Sequence, residues 1–320
     1  MNDKQRLMIK IAKLYYEGGL TQDVISRRLR LSRPRVSRLM QEAIDNGIVK
    51  ITIMQEPGSY AEVERQLENK YNLLEVVVSD ISEPSTFESV ARELGNVAAN
   101  YFSRIVLDGD IIGFTWGATL ASMVENLEPE KKPNCVVMQM VGGLGEPKAE
   151  SHATGIVSRA AMAIGGSMWL MPAPGVVDSV ESAKLLRSDR AIAQALERGG
   201  KANIAFVGIG HPTRSSLLMR DEYIISWQEM EELIRQGAIG DISLRYYDIQ
   251  GKLINSSLND RVIGIDLTEL KGINRVVGVA GGEEKVQAIL GAIHGGLINT
   301  LITDIKTAHR LLENEFDLHV

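Results

Sequence analysis

The stretch Val276–Asp304, VVGVAGGEEKVQAILGAIHGGLINTLITD, decides the fold of this chain. An apolar run ends in Gly281-Gly282, a segment with helical spacing follows, and a second apolar run begins after Gly295-Gly296. Strand, glycine turn and helix in that order form a site for an anion, often a phosphate. The first amides of the helix lack intrahelical acceptors, and the helix dipole adds positive potential there. Enzymes use such sites to hold substrates, and regulators use them to sense metabolites.

The same alternation extends back through the chain. EVVVS, DIIGF, CVVMQMV, SMWLM and NIAFVGIG read as strands. TFESVARELGNVAANYFSRI, GATLASMVENL, HATGIVSRAAMAIG, SWQEMEELIRQG and TAHRLLEN read as helices between or after them. GDISLRYYDIQGKLIN reads as a strand with a hairpin turn at Gln250-Gly251. Repeated strand–helix alternation implies an α/β body, a Rossmann-like, mostly parallel sheet covered on both faces. In such sheets ligands bind outside the C-terminal ends of the strands. Glycine-rich ends fall there four times: GFTWGAT, VGGLG, VGIGHP and VAGGEEK. Each alone also reads as a helix entry; their recurrence in one domain points to a binding crevice.

A chain of 320 residues, 44% apolar and 24% charged, is long for one domain and ordinary for a folded soluble protein. The single cysteine, Cys135, excludes an intramolecular disulfide, fits a reducing compartment, and lies in an apolar run as an inert buried thiol. The charged N-terminus does not read as a signal peptide, and no run approaches the roughly 18 apolar residues of a membrane helix. A cytoplasmic protein without a membrane partner is expected. The net charge of −6 hides an asymmetry: Met1–Lys50 holds 11 Lys and Arg against 5 Asp and Glu. A basic head on an acidic body points the head toward a polyanion.

Within that head, Leu7, Ile11, Leu14 and Tyr15 share a helical face that ends at Gly18-Gly19. Thr21 caps a short helix with Val24, Ile25 and Leu29 as its apolar side. Ser32 caps a third, with Pro34 in its first turn and Gly47 as its stop, and Val36, Leu39, Met40 and Ala43 face inward. IVKITI follows as a short strand, a wing or the exit from the domain. Three helices with a basic start to the third describe a helix-turn-helix. Ser32, Arg33, Arg35, Ser37 and Arg38 lie where such a helix reaches base edges, and arginine suits guanine O6 and N7. Arg27, Arg28 and Lys10 suit phosphates. EPGSY reads as a linker or a turn, and the domains are set at 1–55 and 56–320. The stripe Val63, Leu67, Tyr71 and Leu74 is too short for a sustained coiled coil and reads as packing on its own body.

Taken together, these pieces resemble the SorC-type sugar-responsive transcriptional regulators over essentially the whole length. The resemblance rests on IAKLYYEGGLTQDVISRRLRLSRPRVSRLMQEAIDNGIVKITI, DGDIIGFTWGATL, VGGLG, NIAFVGIG, GDISLRYYDIQG and VAGGEEKVQAILGAIHGGLINTLITD, in that order. It implies a winged helix-turn-helix joined to an effector domain built like sugar-phosphate isomerases. It also implies a dimer or tetramer that binds operator DNA and responds to a phosphorylated sugar.

The residue chemistry suits that implication. Thr115 and Thr119 carry hydroxyls, and the backbone around Gly117 and Ala118 carries amides, at a helix start that can hold a phosphate. Relatives of this type often have threonine where this chain has Ala118, so one hydroxyl is missing. Gly142, Gly143, Gly210, Gly281 and Gly282 end strands in the same crevice. Lys285 sits in a first helical turn, where a cation opposes the dipole; either a bound anion or surface pairing with Glu283 and Glu284 accounts for it. Asp241 suits a sugar hydroxyl or the cap of a turn. MPAPGVVDS reads by position as the sugar end of the pocket. Phosphosugar deaminases and isomerases of this fold place Asp-Gly-His near an equivalent strand end, but His211 lacks the Asp-Gly pair, so no paired acid and base is evident. His152, His211, His294, His309 and His319 show no zinc spacing. No catalytic residue, metal or cofactor is expected; an enzyme with an appended DNA-binding domain is the alternative.

Overall fold

The computed structural model describes residues 2–51, 59–81, 86–143, 153–213 and 225–314. The chain divides into two compact units, Met1–Ser59 and Tyr60–Val320.

In the first unit, α1 (Asp3–Ala12) starts in a capping box between Asn2 and Gln5 and runs into one π-helical turn, Lys13–Glu17. Gly19 then takes the left-handed conformation, φ +63°, and turns the chain toward α2 (Gln22–Leu29). Thr21 caps α2 by accepting the Val24 amide at 3.4 Å. After a left-handed turn at Arg30, α3 (Arg33–Asp45) begins with Pro34 in its first turn. Met8, Ile11, Ile25, Val36, Leu39, Met40 and Ala43 form the core, as their helical spacing requires.

Three details differ from the sequence reading. Val24 is exposed, so Ile25 alone of the α2 face is fully buried. Ser32 holds the cap position of α3 without a side-chain capping bond. Residues 48–51 form no strand; Thr52 and Ile53 of the expected wing, and Pro57 of the expected linker, lie outside the described residues.

The second unit opens with α4 (Ala61–Tyr71), β1 (Glu75–Ser79) and α5 (Phe87–Ile105). Next come β2 (Ile111–Phe114), α6 (Ala118–Glu125), β3 (Val136–Gln139), α7 (Ala153–Ile164) and β4 (Ser167–Trp169). Two helices with no clear sequence signal, α8 (Val180–Ser188) and α9 (Arg190–Gly199), precede β5 (Ile204–Gly208) and α10 (Trp227–Arg235). A hairpin of β6 (Gly240–Ile242) and β7 (Arg245–Tyr247) leads to two single-turn helices, α11 (Ser257–Arg261) and α12 (Leu267–Lys271). Then β8 (Arg275–Val279), a 3₁₀ turn at Glu283–Lys285, α13 (Val286–His294), β9 (Thr300–Asp304) and α14 (Ile305–Glu313) complete the described fold.

Seven strands among the described residues form one sheet in the order β1-β9-β8-β5-β2-β3-β4. Every neighbouring pair is parallel. Period-two alternation divides the strand side chains between two cores. Val76, Val78, Ala205, Val207 and Val276 face α4, α13 and α14. Ile112, Phe114, Val137, Phe206 and Val277 face α5, α6 and α7. Phe114 and Phe206, paired in register on β2 and β5, stack with ring centroids 5.4 Å apart. Burial on both faces is why these strands read as unbroken apolar runs.

The structure holds the expected turn and one more. The β6–β7 reversal is at Ser243-Leu244, both at positive φ, and a second hairpin turns at Gln250-Gly251, where Tyr247 bridges Leu253 in antiparallel fashion. A type I′ hairpin turn needs positive φ at both central positions, and no Asn or Gly marks the Ser243-Leu244 site. At Gln250-Gly251 the Gly251 amide donates to the Asp248 carbonyl at 2.8 Å, and the Asp248 amide donates across the turn to the Lys252 carbonyl at 3.0 Å. Gly251 has φ +67° and lies against Gly295, with no room for a Cβ on either.

Of the α4 stripe, Leu67 and Tyr71 are buried in the body and Leu74 is exposed. The Tyr71 hydroxyl donates to the Leu311 carbonyl at 2.5 Å. Lys70 Nζ donates to the carbonyls of Leu312 and Asn314 at 2.8 and 2.5 Å, so a cation caps the C-terminal end of α14. Lys70→Met is expected to lower stability by about 1 kcal/mol, the scale of a charged helix cap. Urea unfolding checks this; an unchanged midpoint would show the cap to be inert.

Candidate functional site

On α3, Ser32, Arg33, Arg35, Ser37 and Arg38 are all exposed while Val36, Leu39 and Met40 between them are buried. One face therefore holds the helix in place and the other carries three guanidinium groups. Arg33 Nε lies 3.5 Å from Asp23 Oδ1, which ties it to α2. Arg27 and Arg28 stand exposed near the end of α2. A free basic face on the third helix is the arrangement that enters a major groove.

In the body, the strand order places a crevice. From β2 the chain proceeds outward to β3 and β4, then returns to β5 on the other side of β2 and proceeds to β8 and β9. The reversal lies between β2 and β5, and ligands bind where the strand order reverses. Thr115, Gly210 and Gly281 follow β2, β5 and β8 at this edge.

Thr115 is buried, and its Oγ1 accepts the Gly208 amide at 3.1 Å, clamping β2 to β5. The hydroxyl proton of Thr115 remains to donate. Gly117, at φ +137°, opens α6 without a side-chain cap, which leaves the amides at Ala118 and Thr119 without one. Gly210 exchanges backbone hydrogen bonds with Asp241, at 3.0 and 3.1 Å, and a Cβ there would overlap the Asp241 carboxylate. That exchange docks the hairpin onto the end of β5 and carries Asp241 into the crevice.

Asp241 is buried, and burial pushes its carboxyl up to about 6, against the opposing effects of the Leu244 amide and Lys285. Lys285 is only 9% exposed and its pKa is lowered, first by burial, with Glu284 and Asp241 acting in the opposite direction. Glu283 faces Arg310 at 3.7 Å, and no described carboxylate lies within ion-pair distance of the Lys285 Nζ, so Glu284 and Asp241 act on it only through space. The residue sits in a 3₁₀ turn, one residue before α13 begins. Its one aromatic contact among the described residues is Phe87, whose ring centroid is 5.5 Å from Nζ. His211, half-buried beside this group, has a lowered pKa, first from burial and then from Lys285.

The structure thus brings Gly210, Asp241, Lys285 and His211 together, with Gly281 and Gly282 on the same turn as the lysine. Gly142 and Gly143 lie at the end of β3, and their amides are already engaged with the carbonyls of Ile263 and Ala173, both at 2.9 Å. They form a wall between β3 and the 171–179 loop and supply no donors. Leu144 and Gly145 of the same motif, and His152 and His319, lie outside the described residues. No group of three metal-binding side chains exists among the described residues.

Two residues that sequence reading missed hold the glycine turn. The Gly282 amide donates to Asp304 Oδ2 at 2.8 Å and to Thr307 Oγ1 at 2.9 Å, and Asp304 Oδ1 accepts the Thr307 amide at 2.9 Å. The signal was an Asp ending an apolar run three residues before a threonine, a helix-cap pattern at the end of β9.

Known proteins match both units. A family model described as "Putative sugar-binding domain" matches residues 55–313, and one for winged helix-turn-helix DNA-binding matches residues 2–50. The chain is 34% identical over 312 residues to the deoxyribonucleoside regulator of Bacillus subtilis (strain 168), covering 98% of this chain and 99% of that protein. It is 32% identical over 320 residues to the sorbitol operon regulator of Klebsiella pneumoniae, covering 98% and 99%. The crystal structure of that full-length regulator, SorC, superposes with a TM-score of 0.74 at 31% identity, covering 98% of this chain and 100% of that one. With its helix-turn-helix, its parallel-sheet body and these matches along its length, the chain belongs to the SorC-type family of transcriptional regulators with a sugar-binding domain.

Proposed function

We propose that the chain represses a carbohydrate-utilisation operon and is controlled by a phosphorylated sugar bound where β2, β5 and β8 end. The observation that carries this reading is Lys285, a buried ammonium with no ion pair among the described residues. A buried charge is costly unless it is paired, and an incoming phosphate supplies the pair. The uncapped start of α6 at Gly117, Ala118 and Thr119, with the Thr115 hydroxyl, offers further donors to the same anion. In this reading Asp241 accepts from sugar hydroxyls. Relatives named for deoxyribonucleosides and for the sorbitol operon favour carbohydrate control.

The protein acts as a dimer or tetramer, because paired recognition helices read two half-sites one helical turn apart. Ligand binding shifts the population of the DNA-competent arrangement, and a coupling of about 1–3 kcal/mol suffices. A regulator is favoured over an isomerase or deaminase because His211 and Asp241 share no hydrogen bond in the described crevice and similar proteins are named as regulators.

A thermal-shift screen against phosphorylated sugars tests the ligand, since binding to the native state raises Tm. Operator binding with and without the hit tests the control, with release expected from a repressor. No shift with any phosphorylated sugar, or turnover that disappears in His211→Ala, would overturn this reading.

A further inference from the structure

Helix α5 carries its apolar stripe past the edge of the core. Ala91, Leu94, Ala98 and Phe102 lie on one face at helical spacing and are all buried against the sheet. Leu94 reaches the β8 turn, where a Cβ on Gly281 would meet its Cδ1 at 2.8 Å. Two turns earlier, the same face arrives at Phe87, the first residue of the helix. Phe87 is 51% exposed. Its backbone is fixed: Thr86 and Ser89 form a capping box, with the Ser89 amide donating to Thr86 Oγ1 at 3.2 Å and the Thr86 amide to Ser89 Oγ at 2.8 Å. The stripe therefore ends in an aromatic ring held at the mouth of the crevice, beside the ammonium of Lys285.

A capped helix does not need phenylalanine at this position, since the cap uses only Thr86 and Ser89. Sugars present both hydroxyls and an apolar face of C–H groups, and an aromatic ring packs against such a face. Inorganic phosphate has no such face. We propose that Phe87 is a specificity residue of the effector site, a platform for the C–H face of the sugar whose phosphate is held by Lys285. This inference rests on the crevice being the effector site. It adds the means by which the protein distinguishes a sugar phosphate from the phosphate ion that surrounds it in a cell.

The test compares dissociation constants of the full-length chain for inorganic phosphate and for glucose 6-phosphate, fructose 6-phosphate and ribose 5-phosphate, by calorimetry. In the unmodified chain at least one sugar phosphate binds more tightly than phosphate. Phe87→Ala is expected to reduce that preference about tenfold, the scale of a lost aromatic packing contact. Phe87→Trp retains the preference and Phe87→Leu keeps part of it. Loss of the cation–π contact alone moves phosphate and sugar phosphate together, so the ratio isolates the stacking. An unchanged ratio in Phe87→Ala, with binding intact in the unmodified chain, overturns this inference and leaves the effector site standing. Failure of the unmodified chain to bind these four, or any other phosphorylated sugar of the thermal-shift screen, overturns both.

Discussion

Lys285→Met is expected to leave operator affinity in the absence of effector unchanged and to shift the response to much higher effector concentrations. A hydrogen bond to a charged group is worth about 1.5–3 kcal/mol, so effector affinity falls by roughly 10- to 150-fold. Fluorescence anisotropy on labelled operator, titrated with the effector, reads both quantities at once. A variant that is released at the normal effector concentration would remove Lys285 from the site. The same substitution has a second consequence through Asp241. In the unmodified chain that carboxyl titrates at about 6, above its ordinary value, because it is buried. The folded state then holds the proton more tightly than the unfolded state does. The resulting stabilisation is complete below about pH 4 and is lost as pH rises through the folded value. Lys285 opposes the shift, so without it the folded value climbs. The variant should therefore lose more stability than the parent between about pH 5 and 8. Urea midpoints across that range check this, and a constant difference would separate the two side chains.

Arg35→Ala should cost about 1–3 kcal/mol on the operator and much less on random DNA if Arg35 reads a base. Arg35 is exposed on α3, and the buried Val36 and Leu39 beside it keep that helix in place, so loss of affinity need not reflect unfolding. Arg28→Ala, on α2, should weaken both DNAs alike and reduce the salt dependence by about one ion, as a phosphate contact does. If the Arg35 variant loses equally on both DNAs, Arg35 belongs with the phosphate contacts.

The parts of the fold that depend on periodicity were legible in the sequence. Strands buried on both faces, such as β5 and β8, read as apolar runs, and helices with one apolar stripe, such as α5 and α3, show it at the expected spacing. Segments whose structure comes from tertiary contacts were not legible. The Ser243-Leu244 turn has no glycine or asparagine; the backbone exchange between Asp241 and Gly210 docks its hairpin. Single-turn helices α11 and α12 are too short for a repeating pattern to develop. At the site, glycine motifs marked the strand ends, but which amides remain free follows from three-dimensional partners. Gly142 and Gly143 looked equivalent to Gly117 in sequence, yet their amides are taken by Ile263 and Ala173. Phe87 could not be singled out at all, because a phenylalanine opening an amphipathic helix reads as core until its exposure is seen.

The order of the sheet also bears on how the chain comes into being. β1, at Glu75–Ser79, pairs with nothing near it in sequence: Glu75 is in register with Thr300 and Ser79 with Asp304. The carbonyls that Lys70 and Tyr71 bind likewise belong to residues 311–314. A ribosome working from the N-terminus therefore exposes the basic helix-turn-helix, whose core is local, long before the edge of the body can close. Folding with such distant partners is slow, and an apolar strand left waiting is open to misassembly. Chains shortened by the last strand and helix should accumulate as aggregates with a folded, DNA-competent head, and the cell would meet them as unregulated binders.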